Sequence, residues 1–201
     1  MKPAAAALAL LVALLGIGAL ATGFPAAQTA SQLALSFNSY QASPVVLTDF
    51  SIEQDLAPVP PTLIAGAADH EMPRLMGGAA LSVPLDLHGD GIWLVSARWV
   101  ELSTDKAWTA RIEVPIKALD VAYDATTLLV VFGPNGEMLI GSDKIGDQPS
   151  DRVDVARVCG VRTPGADRAW RRETGLLPEI ASIMAQFTPE SGQSSHCQAR
   201  D

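Results

Sequence analysis

The chain has 201 residues, 22 acidic against 14 basic, for a formal charge of -8; aromatics are 5%, and four residues are Trp. That length suffices for one domain of ordinary size with a full core. The acidic balance argues against a nucleic-acid partner, which needs clustered Lys and Arg, and against docking on anionic lipid.

Residues 1–30 read as an export segment. Lys2 is the only charge before Asp49, and Ala4 to Ala21 is free of polar side chains. A positive start, an apolar run and then small residues describe a secretory signal, with Ala19-Leu20-Ala21 as its cleavage site. The run also reaches the lower range for spanning a bilayer, so an uncleaved membrane anchor is the rival reading. On either reading the rest, residues 31–201, is expected as a single β-rich domain in the periplasm.

Leu33 to Phe37 and Val45 to Ile52 are the first strand candidates, the second with Val46, Thr48, Phe50 and Ile52 on one face. Asp55 to Gly78 carries four prolines and little periodicity, and reads as a long loop. Leu81 to Leu87 alternates, with Leu81, Val83, Leu85 and Leu87 expected inward and Pro84 marking a sheet edge. From Gly91 to Ser142 four consecutive antiparallel strands are expected. Ile92 to Leu102 is apolar on both faces and so reads as covered on both sides. Lys106 to Val114 is the cleanest half-buried strand, with Trp108, Ala110, Ile112 and Val114 inward and Thr109, Arg111 and Glu113 outward. Leu128 to Phe132 and Glu137 to Ile140 flank Gly133-Pro134-Asn135-Gly136, a hairpin signal because Asn-Gly tolerates positive φ. Val155 to Val161 is one more short strand. Pro178 to Phe187 reads as a helix with Ile180, Ile183, Met184 and Phe187 on one stripe. The fold class that follows is mainly β, an antiparallel sandwich-like sheet with one C-terminal helix.

Cys159 and Cys197 are the only cysteines, and both lie in the exported part. A structural disulfide between them is the simplest reading in an oxidising compartment, pinning the helix to the sheet. No spacing points to a cofactor or a metal. His70 and Glu71, beside Asp69, read as a solvated loop, since consecutive residues rarely converge on one ion. Asp86-Leu87-His88-Gly89-Asp90-Gly91 has alternating oxygen donors but lacks the twelve-residue calcium pattern, and reads as a turn. His196, next to Ser194 and Ser195, has no nucleophile elbow to serve. Arg168, Arg171 and Arg172 read as a solvated face around a docked Trp170. In the Pro-rich loop, Leu63, Ile64, Met72, Leu75 and Met76 have no period to bury them. Two readings stand for these five residues: contact with a protein partner, or packing over a sheet edge.

The run Trp93-Leu-Val-Ser-Ala-Arg-Trp-Val-Glu-Leu-Ser-Thr-Asp-Lys-Ala-Trp108, followed by Ile112-Glu-Val-Pro115 and Phe132-Gly-Pro-Asn-Gly136, resembles the bacterial domain of unknown function 2931 family. The likeness covers Leu33 to Asp143, and its motifs are structural. It implies a β-rich envelope protein, similar to relatives that serve as periplasmic immunity proteins against toxic lipases. The chain departs from the family by lacking the lipid-acceptor Cys of many members, and no binding residue carries over. The expected function is non-enzymatic binding of another protein in the envelope, immunity being one form of it. An envelope structural or assembly module is the alternative, and a small hydrolase a third.

Overall fold

The computed structural model describes residues 30–40, 43–66, 79–122, 124–143, 152–172, 177, 180–186 and 196–198. The segment before residue 30, His70, Glu71, Met72, Leu75, Met76 and both ends of the predicted helix lie outside the described residues. In chain order the strands are β1 (Gln32–Ser39), β2 (Val45–Ile52), β3 (Pro58–Ile64), β4 (Ala79–Ser82), β5 (Ile92–Glu101) and β6 (Lys106–Pro115). Then come β7 (Val121–Ala122), β8 (Ala125–Phe132), β9 (Glu137–Asp143), β10 (Arg152–Cys159) and β11 (Val161–Arg162), before the helix α1 (Ile180–Gln186). They form two sheets, β10-β9-β8-β1-β4 with β7 beside β8, and β11-β6-β5-β2-β3. All pairs are antiparallel except β1 with β8.

Period-two patterning explains the core. Trp108, Ala110, Ile112 and Val114 of β6 are buried, and Trp93, Val95, Ala97 and Trp99 of β5 lie in the same cluster. The opposing sheet contributes Leu33, Leu35, Leu128, Val130, Phe132, Met138 and Ile140, so the inner faces interdigitate as in a sandwich. β5 is covered on both sides from its middle onward, where Ser96, Val100 and, just beyond it, Leu102 are buried; Leu94, nearer its start, is half-buried.

Three strand expectations need correction. In β2 the register skips Thr48, with Leu47 opposite Trp99 and Asp49 opposite Arg98. This bulge switches the faces, so that Val45, Leu47, Phe50 and Ile52 share the core, while Val46 packs on the other side. The Pro-rich stretch contains β3, an edge strand whose only partner strand among the described residues is β2, so that a missing N–H is tolerated. β4 is indeed an edge strand but ends at Ser82. Val83 still packs on the core, whereas Leu81, Leu85 and Leu87 are 45%, 79% and 59% exposed. An apolar alternation is not enough to bury a segment that runs past the end of its only partner strand.

The strands from β5 to β9 are not one continuous meander either. β5 and β6 form a hairpin in one sheet, and β8 and β9 form one in the other. The β8–β9 turn has Asn135 at φ 58° and Gly136 at φ 75°, as its sequence suggests. A Cβ on Gly136 would collide with the Trp108 ring, so this glycine also lets the turn lie flat on the indole. That contact joins the two hairpins across the sandwich.

Cys159 and Cys197 are joined, with Cα atoms 5.6 Å apart. α1 places Ile180 and Met184 with Leu102, Val46, Leu63 and Trp170 on the outer face of the β5 sheet. Among the described residues no helix is long and apolar enough to cross a membrane.

Candidate functional site

The two ends of β5 differ in their chemistry. At its C-terminal end Glu101 is 2% exposed and its carboxylate accepts four hydrogen bonds. Oε1 accepts from Ser43 Oγ and the Asn135 N–H, each at 3.2 Å. Oε2 accepts from Thr104 Oγ1 at 3.1 Å and the Trp108 indole N–H at 3.2 Å. Arg162 lies over the Trp108 ring, 5.3 Å from its centroid, and forms a two-pronged ion pair with Asp167 at 2.8 and 2.9 Å. These bonds from Arg162 hold the Asp167 carboxyl below its ordinary range, helped by the Ala107 N–H. The disulfide and the β8–β9 turn lie at this end too, where the Gly160 N–H donates to the Gly136 carbonyl at 2.7 Å. We call it the closed end.

Here the structure brings together residues that the sequence keeps apart. Glu137, buried opposite Cys159 in the β9–β10 register, has Arg157 Nε at 3.2 Å and His196 Nδ1 at 3.7 Å from its Oε1. The disulfide is what carries His196 there. Arg168 and Arg171 both reach Asp105, Arg171 at 2.8 Å, and Arg171 covers the Trp170 ring. Arg168 and Arg171 are thus spent on a docked Trp and one acidic turn residue, while the Arg172 side chain lies outside the described residues.

The opposite end is open, and carboxylates organise it outward. Asp86 accepts the N–H groups of Gly89 at 2.7 Å and Gly91 at 2.8 Å, and Asp90 accepts that of Ile92 at 3.0 Å. Gly89 and Gly91 take φ of 67° and 77°, which lets their amides turn toward Asp86. The Gly91 N–H, chiefly, and that of Gly89 pull the Asp86 carboxyl below its usual value, with partial desolvation opposing. Glu53 clamps this loop to β5. Its Oε2 accepts from the Leu87 N–H at 3.2 Å and its Oε1 from the Leu94 N–H at 2.6 Å, while its own N–H donates to the Leu94 carbonyl at 2.9 Å. Glu53 has φ 60°, a left-handed conformation that costs a non-glycine residue about 1–2 kcal/mol. The Ile116 N–H bonds the Gly91 carbonyl at 2.9 Å and fixes the loop's other side.

This framework holds Leu85 and Leu87 in water. A polar depression lies beside it, lined by Glu53, Gln54, Asp55, His88, Leu94 and Arg111. His88 stands at this end and His196 at the other, so the described histidines do not converge. Among the described residues no group of three or more His, Cys, Asp or Glu is placed to hold a metal ion. Leu63 is half-buried against the α1 cluster and Ile64 is 5% exposed in the main core, and both line a second depression with Leu35 and Phe37. No motif in the sequence singles out Glu53 or Glu101 as an anchoring carboxylate. Glu101 did leave a signal, as a lone carboxylate between Val100 and Leu102 in an apolar strand.

No family model, curated protein or solved structure matches the chain.

Proposed function

We propose that the protein is a non-enzymatic, exported binding module that captures another protein through the open end of its sandwich, immunity against a secreted toxin being one form of that role. The observation that carries the reading is the exposure of Leu85 and Leu87, 79% and 59%, on a loop whose backbone is hydrogen-bonded at Leu87, Gly89, Gly91 and Ile92. Each leucine kept in water forgoes about 1.5–3 kcal/mol that full burial would contribute. Single exposed apolar residues are ordinary, but two on a loop already fixed by other bonds give a partner a preorganised contact. Loops on a rigid sheet scaffold are where recognition concentrates. The disulfide accords with an oxidising compartment, and the charge-free N-terminal run supplies the route of export.

A photo-crosslinking residue at His88, beside the leucines, tests this in the producing cell. Adduct should form there and not from Val161, 69% exposed on β11 at the closed end. Excess purified chain should compete, and the Leu85→Ser/Leu87→Ser double variant should not. Equal adduct from both positions would refute the assignment.

A further inference from the structure

Building on that reading, we infer that the partner presents a basic surface with an apolar centre, into which Leu85 and Leu87 insert.

The charge around the leucines supports this. Glu53, Asp86 and Asp90 lie within the loop framework itself, tied to the backbone at Leu87, Gly91 and Ile92. Asp55 lines the adjoining depression, and Glu113 pairs with Leu94 across β5 and β6. Both are exposed. Against these five carboxylates stand Arg111 in the depression and Lys117 next to Ile116. The local excess has the same sign as the net charge of -8 on the whole chain. An acidic partner or anionic lipid surface would meet repulsion at both long and short range.

The arrangement also separates two tasks. Three of the carboxylates, on Glu53, Asp86 and Asp90, accept main-chain N–H bonds and hold the leucines in place. Asp55 and Glu113 are exposed on the flanks of the loop, where a partner's Lys or Arg can reach them. An apolar centre with a charged rim is the usual anatomy of a specific interface, where rim charges set the on-rate and the salt response. Steering of this kind weakens as salt shortens the screening length.

The test uses the full chain and three short synthetic peptides, alternating Leu with Lys, Leu with Glu, and Ser with Lys, followed by fluorescence anisotropy. The Leu–Lys peptide should bind at least about tenfold more tightly than the other two, and raising salt from about 50 to about 500 mM should remove most of that margin. Asp55→Lys/Glu113→Lys and Leu85→Ser/Leu87→Ser should each weaken it by about tenfold. Equal binding of the Leu–Glu peptide, or Leu–Lys affinity indifferent to Asp55→Lys/Glu113→Lys, would overturn the inference. The same holds if no peptide binds. If crosslinking from His88 nevertheless persists and depends on the leucines, protein binding stands and only the basic partner falls. If that crosslink is missing too, both fall.

Discussion

The closed and open ends of the sandwich use the same bond, a carboxylate accepting N–H and O–H groups, to opposite purposes. At the closed end Glu101 faces inward and takes four donors from four different segments, so the turns collapse onto one buried charge. At the open end Glu53 and Asp86 take main-chain donors from one loop and, at Leu94, from β5, and hold the loop away from the core. A buried carboxylate with every donor in place ties distant segments together, and removing any donor is costly. Partly exposed ones, as on Glu53 and Asp86, order a segment at a smaller cost in desolvation and leave its side chains available. The difference suggests that stability resides at one end and recognition at the other.

The largest effect is expected at the closed end. Trp108 is 1% exposed, carries the Gly136 turn on its face and donates to Glu101. Trp108→Ala should therefore cost about 3–5 kcal/mol in a urea melt, by cavity and lost hydrogen bond together. Arg111→Ala, on the outer face of the same strand, should stay within about 0.5 kcal/mol of wild type. Equal losses would mean that the two faces are not as described. Next in size is the disulfide, with 38 residues of sequence separation. Cys159→Ser/Cys197→Ser should cost about 3–4 kcal/mol, and native protein denatured without reductant should yield no alkylated thiol.

A finer comparison lies within the core. The Trp108 indole N–H has an acceptor, whereas the buried Trp99 N–H meets none among the described residues. Trp108→Phe should thus exceed Trp99→Phe by about 1–3 kcal/mol, since only the former deprives Glu101 of a donor. Comparable melts for the two variants would show that the Glu101 network contributes little.

Acid provides a smaller effect, confined to the open end. Hydrogen bonds from Gly91 and Gly89 lower the Asp86 carboxyl in the native state. A group depressed on folding contributes order that is present above its unfolded value and lost as pH falls through its native value. The protection of the Gly89 and Gly91 amides, taken against the intrinsic exchange rate at each pH, should therefore be high at neutral pH and should fall on acidification, through and below the usual carboxylate range. In Asp86→Ala it should already be low at neutral pH.

Much of this fold is legible in the sequence, and the exceptions have physical causes. Period two located β5 and β6, and Asn-Gly located the β8–β9 turn, because each rests on a local backbone rule. The β2 faces depart from simple alternation because of a bulge at Thr48, which leaves no mark on the hydrophobic pattern. β3 was hidden by prolines that only an edge position permits. Leu85 and Leu87 keep the spacing of a buried strand, yet Asp86 and the two glycines turn the chain before any partner strand can cover them. The disulfide was readable from compartment and count. The meeting of Glu137, Arg157 and His196 was not, since it depends on strand register and on the bridge.

The most direct test of this division reads stability and recognition together in one variant of the open end. Leu85→Ser/Leu87→Ser should leave the thermal midpoint within about 2 °C of wild type, as expected for residues outside the core. The same protein should no longer compete for the crosslink formed from His88. A midpoint lowered by many degrees, with competition intact, would show that these leucines cover the core and that recognition lies elsewhere.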